Sequence, residues 1–299
     1  MAALYPDHGL GGNKGETTDS IFADSLELGR KIGESVLHDA IQNIASQVEG
    51  KKGDVILFND LTWERTSMAE LTLPPGQYVV KDATGASVPV QVTNKADSSI
   101  VRFLATVPSM GYARYSISTT KKPVSLVPSD DVKYGNNYYS NKYYDIVFGN
   151  GGIVRLYDKE LKRNILEKEE LVFGDVLEAE YNGNGAGEFT RITDLILNMG
   201  NIQTLSRYQT NWKITDVGPL SITFQNSRNT PNANIIQRIT VYHTMKKIDF
   251  DVCIENFNGA HNRQYRILFP LNMRLSQSDV CYEVPIAVSH DGKDELKRI

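Results

Sequence analysis

Few residues in this sequence are suited to acid, base or metal chemistry. Of its five histidines, His8 stands in the polar, glycine-rich stretch Asp7-His8-Gly9-Leu10-Gly11-Gly12, just ahead of a helical pattern. A loop of that kind lets an imidazole and a carboxylate reach a hard or borderline cation, although zinc needs three ligands besides one histidine. Asp249 and Asp251 flank Phe250 and share one face of a strand, where they either bind calcium or face water. Glu255, Glu283, His243, His261 and His290 form a thin set for a mutarotase-like site, which needs a carboxylate base and a histidine acid in one pocket. No spacing links them. The run Asn182-Gly183-Asn184-Gly185-Ala186-Gly187-Glu188 has the glycines of a phosphate cradle but no helix opening after it, so it reads as a loop, one that at a sandwich edge can touch a sugar. Tyr138, Tyr139, Tyr143, Tyr144 and Trp212 either stack on pyranose rings or fill strand faces, the commoner fate of such residues.

The elements that must position these residues change period once. Over residues 18–49 the apolar or small residues Phe22, Leu26, Gly29, Gly33, Val36, Ala40, Ile44 and Val48 recur every three or four positions, which predicts a long helix with one apolar stripe. Thr17, Thr18 and Asp19 offer N-cap oxygens, and Gly50 is placed to stop the helix in a left-handed turn. No second helix of that length follows, so it reads as one member of a bundle. After Lys51-Lys52-Gly53 the pattern alternates. Strands are expected up to Leu73, over 77–81, 87–93 and 100–107, with a turn at Asp82-Ala83-Thr84-Gly85. Residues 121–133 read as a linker, and residues 143–157 as a hairpin about Gly149-Asn150-Gly151-Gly152. Further strands are expected at 222–224, 235–243, 248–254, 265–270 and 280–288. The organisation expected is a loop and helix over 1–50, a small antiparallel β-sandwich over 51–120, the linker, and a large β domain over 134–299.

Composition narrows the partners. With 299 residues and a net charge of −4, and with Lys and Arg scattered among acids, the chain offers no basic stripe for nucleic acid or an anionic membrane. No apolar run approaches a membrane span, and the first residues lack the order of a secretory signal, so the chain reads as soluble with its compartment open. Its two cysteines, Cys253 and Cys281, have no metal-ligand spacing and read as core thiols. A Met set directly before the His8 stretch and a charged final segment point to a piece of a longer protein.

Three motifs in order carry a resemblance. Phe58-Asn59 with Leu61, Trp63 and Arg65 is followed by Asp82 and Gly85 with Val88-Pro89-Val90-Gln91, then by Val107-Pro108 with Gly111-Tyr112. The series resembles the β-domain entry of glycoside hydrolase family 38, the α-mannosidases. A looser likeness continues through residues 143–148, 152–159 and 237–239 to Arg266-Ile267-Leu268-Phe269-Pro270. The resemblance implies a mainly β fold with an N-terminal helix, the small sandwich being followed by part of a galactose-mutarotase-like supersandwich. It implies a retaining enzyme that cleaves terminal α-mannose from glycans, with zinc as cofactor of the full-length protein. The Asp nucleophile and the zinc site would lie in an upstream barrel domain, leaving no catalytic residue here. His8 is the implied zinc ligand, in a segment similar to Asp-His-Gly-Trp-Gly-Gly of some bacterial members; Leu10 departs from that pattern, while Thr17-Thr18-Asp19-Ser20 agrees with it. A free-standing glycan-binding module and a mutarotase-like isomerase are the alternatives.

Overall fold

The structure is a computed structural model and describes residues 15–51, 53–121, 128–166, 172–181, 199–274, 276, 278–284, 287–290 and 293–294. One α-helix is present among them, α1 at Gly15–Ala45. It begins before the expected cap, so Thr17, Thr18 and Asp19 lie in its first turns. Its end also differs from expectation. The last turn tightens through Gln47 N–H to Ile44 O and Val48 N–H to Ala45 O, at 3.0 and 3.1 Å. The left-handed residue is Gly53, with φ of 97°, rather than Gly50. Gly53 takes that role because the reversal into the first strand comes there, where an added Cβ would lie 3.1 Å from Ile117 O. The striped residues Leu26, Val36 and Ile44 are all exposed.

The strands, in chain order, are β1 (Asp54–Asn59), β2 (Arg65–Leu73), β3 (Tyr78–Lys81), β4 (Ser87–Val88), β5 (Val90–Asn94), β6 (Ser99–Val107) and β7 (Gly111–Thr119). They continue with β8 (Lys133–Gly135), β9 (Tyr138–Ser140), β10 (Tyr144–Gly149), β11 (Gly152–Asp158), β12 (Arg163–Asn164), β13 (Asp175–Tyr181) and β14 (Met199–Thr204). The last are β15 (Lys213–Val217), β16 (Ser221–Asn229), β17 (Asn234–Tyr242), β18 (Ile248–Glu255), β19 (Arg263–Leu268), β20 (Cys281–Val284) and β21 (Ala287–His290). Every pairing whose register is resolved is antiparallel. The chain is thus mainly β, with antiparallel sheets in a sandwich arrangement. No helix among the described residues is long and apolar enough to cross a membrane.

Two units divide the chain. One holds the described residues up to Ala69 together with Tyr78–Val88 and Leu104–Thr120; the other holds Glu70–Gln77, Pro89–Phe103 and the described residues from Lys121 onward. The first is built on the sheet β1-β7-β3-β4. Asn59 closes it: its Nδ2 donates to Trp63 O, Pro108 O and Val107 O at 2.8, 3.0 and 3.3 Å, and its Oδ1 accepts from Leu61 N–H at 3.2 Å. Phe58 pairs with Tyr112 in register, ring centroids 6.2 Å apart. The first and third motifs of the sequence resemblance are therefore one corner of the sheet. The Asp82 turn forms as expected, with Gly85 at φ 88° and Asp82 Oδ1 accepting from Thr84 and Ala86 N–H.

The expected single strand over 87–93 is two. Pro89 has no N–H to give a ladder, and the chain changes sheet there: β4 pairs with β3, and β5 with β6. In the second unit, Gln91 of β5 is buried, its Oε1 accepting from Leu220 and Ser221 N–H at 3.2 and 3.0 Å and its Nε2 donating to Asp216 at 3.0 Å. Thr93 and Arg102 reach the same carboxylate at 2.8 Å each. The sheet β12-β11-β10-β9-β8 and the sheet β15-β16-β17-β18 share one core, with Tyr139, Ile146, Phe148 and Leu156 meeting Trp212, Ile222, Phe224, Ile239 and Val241. Buried positions alternate along β17, as a strand with one face in the core requires. The sheet β14-β13-β19 has its own small core of Val176, Leu205, Ala233 and Ile235. The stretch 280–288, expected as one strand, is the hairpin β20-β21.

Candidate functional site

The sequence-predicted site residues fare differently from one another. His8 and the run 182–188 lie outside the described residues. His243, offered as an acid, is buried at the end of β17's ladder, with Nδ1 2.7 Å from the Tyr139 hydroxyl and Nε2 3.0 Å from Gly218 O. A carbonyl only accepts, so Nε2 carries the proton and Nδ1 accepts from Tyr139. Burial holds the imidazole below its ordinary pKa and pushes the Tyr139 phenol above its own, so both stay neutral. With both nitrogens committed, His243 has no proton-transfer role. His261 and Glu283 are exposed, and no hydrogen bond among the described residues joins either of them to His243.

Asp249 and Asp251 do share a face of β18, opposite Thr240 and Arg238. Asp249 takes the Tyr242 hydroxyl at 2.7 Å and Lys247 at 3.0 Å; Asp251 pairs with Arg238 at 2.8 Å. Each is neutralised by its own neighbours, which leaves the solvated face rather than a calcium set. Glu255 accepts from Asn234. Of the aromatics, Tyr139 and Trp212 are core, the indole N–H donating to Gly149 O at 2.8 Å, and Tyr143 donates to Thr244 O at 3.0 Å. Tyr138 alone of the five is exposed, at 46%.

Two of the concave surfaces among the described residues of the second unit are roomy. One, of about 490 Å³, is apolar: Phe173, Phe250 and Phe269 touch one another at centroid distances of 5.0 to 5.6 Å, and Ile248 and Leu271 complete the wall. Asp158 at its edge is held by Lys246 at 2.8 Å and by the Glu160 and Leu161 N–H groups. Burial favours the neutral acid, but the Leu161 N–H and the Lys246 ammonium outweigh it and keep the carboxyl below its ordinary pKa. The other, about 570 Å³ of open groove, is lined by Arg155, Tyr157, Lys162 and Arg163 across β11 and β12.

A third feature was invisible to spacing. In the β20-β21 hairpin Cys281 stands directly opposite His290, and the Sγ to Nδ1 distance is 3.2 Å. Asp279 Oδ2 lies 2.9 Å from the same nitrogen. Asp279, Cys281 and His290 are the one group of three among the described residues whose ligand atoms all fall within 4.8 Å of one another. Cys281 is exposed, which corrects its expected place in the core; Cys253 is half-buried. The donors were missed because 280–288 read as one strand, which sets Cys281 and His290 far apart. Pro285 in its middle was the available sign of a break.

The chain matches no protein-family model. Over 71 residues, 24% of this chain and 7% of the relative, it is 31% identical to the lysosomal alpha-mannosidase of Dictyostelium discoideum. Among solved structures, an alpha-mannosidase from Enterococcus faecalis V583 superposes with a TM-score of 0.60 at 12% identity, over 85% of this chain and 36% of that one. A glycosyl hydrolase family 38 protein from Enterococcus faecalis gives 0.56 at 12% identity, over 85% and 37%. The chain thus spans little more than a third of the length of these solved relatives and far less of the curated one. Its fold is one shared with part of the family 38 α-mannosidases.

Proposed function

We propose that this chain is the C-terminal, β-rich part of a zinc-dependent, retaining α-mannosidase of glycoside hydrolase family 38, which removes terminal α-mannose from glycans. The shared fold over 85% of the chain carries the reading, together with the 71-residue match to a protein named for that activity. Retaining hydrolysis needs two carboxyl groups about 5 Å apart. The buried carboxylates described here are otherwise engaged: Asp158 with Lys246, Glu178 with Asn232, and Asp175 with the Ser206 N–H. As the family resemblance implies, the catalytic pair and most zinc ligands belong to an upstream barrel domain, with His8 contributed from this chain and the β sheets bracing the sugar cleft. Of the residues behind the alternatives, His243 has both ring nitrogens engaged and Tyr139 and Trp212 are core, while His261, Glu283 and Tyr138 are exposed.

The test compares this chain with the same chain extended upstream through the barrel, for zinc content and for cleavage of an α-mannoside. Cleavage by the extended form alone, with zinc and activity reduced by His8→Ala, is the expected outcome. An extended form that cleaves no α-mannoside overturns the reading.

A further inference from the structure

The hairpin β20-β21 is a two-stranded sheet of its own, and five of its eight strand residues are exposed. Two strands without a buried face are marginal in water. What the hairpin has instead is three convergent donors, one ahead of β20, one at its start and one at the end of β21. The contacts to His290 distinguish a metal clip from a nucleophile. A Cys-His-Asp relay places thiol and carboxylate on opposite ring nitrogens, so that one activates and the other orients. Here both meet Nδ1, at 3.2 and 2.9 Å. Three donor atoms within 4.8 Å of one another match the faces of a cation better than a chain of proton transfers.

We propose that Asp279 Oδ2, Cys281 Sγ and His290 Nδ1 bind a zinc-class divalent ion that clips the hairpin, with water in the fourth position. Zinc bond lengths put neighbouring donors of a tetrahedron about 3.3 to 3.6 Å apart, so the two short contacts need to open by only a few tenths of an ångström. A thiolate, an imidazole and a carboxylate are all zinc donors, and the thiol proton leaves to solvent as the metal binds. A surrounding shell is in place. Lys293 holds the other carboxylate oxygen, Oδ1, at 2.9 Å, leaving Oδ2 to face the cluster. Asp294 Oδ2 accepts from the His290 backbone N–H at 2.8 Å, and the Lys293 and Asp294 N–H groups return to His290 O. These bonds fix the backbone of the ligand histidine. The site is separate from the zinc expected at His8 and does not rest on the glycosidase reading.

Cobalt titration of this 299-residue chain tests it, since thiolate-bound tetrahedral cobalt gives a charge-transfer band and visible absorption that zinc then displaces. The expected result is one cobalt per chain with that band. Cys281→Ser abolishes the band, His290→Ala and Asp279→Asn each weaken binding at least tenfold, and His8→Ala leaves it intact. Zinc also slows proteolysis within residues 279–294 of the wild type, and of the Cys281→Ser variant it does not. Absence of a band at micromolar cobalt overturns the proposal. So does a band that survives Cys281→Ser, is lost with Cys253→Ser, or requires His8. The circular dichroism spectrum of each variant, matching the wild type, separates lost ligation from lost folding.

Discussion

Tyr139 and His243 lie 104 residues apart in sequence and stack nearly parallel, their rings 5.8 Å centroid to centroid and 12° from coplanar, while the tyrosine hydroxyl donates to the histidine. The pair ties β9 of one sheet to the residue that follows β17 of the other, and Asn141 adds a bond from its Nδ2 to Tyr242 O at 3.0 Å. Removing the hydroxyl leaves a buried imidazole nitrogen without a donor. Tyr139→Phe is expected to cost about 1 to 3 kcal/mol in urea unfolding of the second unit. A change below about 0.3 kcal/mol would show that water replaces the bond.

The same pair sets a pH dependence. His243 has a folded pKa below its unfolded value of about 6.5 because burial disfavours the cation. Between those two values the unfolded chain binds a proton that the folded chain does not, so stability falls as pH drops below about 6.5 and levels off below the folded pKa. Unfolding midpoints at pH 7.5 and 5.5 are expected to differ more for the wild type than for His243→Gln, which keeps a polar side chain without the titration. Equal slopes would assign the effect to other groups.

Asn59 joins the first and third motifs at one corner of the first unit with one amide. Asn59→Ala is expected to cost about 2 to 4 kcal/mol, since a buried N–H and several carbonyls lose their partner. Asn59→Asp should be worse at neutral pH, because a carboxylate would face Trp63 O, Pro108 O and Val107 O, and should recover partly on acidification, when a protonated acid can donate again. Thermal melts of both variants at pH 7 and pH 4 decide this; an Asp variant as stable as wild type at pH 7 contradicts the network.

Gly151 has φ of 79°, and a Cβ there would lie 2.5 Å from the Ser206 backbone N. Gly151→Ala therefore meets both a strained backbone and a backbone atom that cannot swing aside. A loss exceeding about 2 kcal/mol is expected, whereas Gly85→Ala, at φ 88° with open space around it, should lose only the conformational part, near 1 kcal/mol. Comparable losses at the two sites would mean that the loop of Ser206 yields.

Much of the architecture was legible. The helix α1, the Asp82 turn and the hairpin about Gly151 followed from period and turn chemistry, because each depends on residues close in sequence. The break at Pro89 was signalled by the proline itself, but the switch of sheets was not, since it depends on which distant strand each half meets. The same limit hid the Asp279, Cys281 and His290 cluster. Cross-strand pairing across a turn brings residues 9 and 11 positions apart into contact, a spacing that marks no site until the hairpin is known. Conversely, His243 looked chemical in the sequence only because its polar partners, Tyr139 and Gly218, come from elsewhere in the chain.

Gln91 has a consequence for the order of folding. Its amide is satisfied by groups 125 to 130 residues downstream, and Thr93 and Arg102 wait for the same Asp216. During synthesis β5 and β6 emerge long before those partners exist, and the closing loop is long, so this segment docks late and is held open until residues 213–221 arrive. A ribosome paused between them would display Gln91 without its partners on a strand pair whose buried residues are mostly apolar, a form for chaperones to shelter, and a chain cut in that interval would have to find its other half by diffusion.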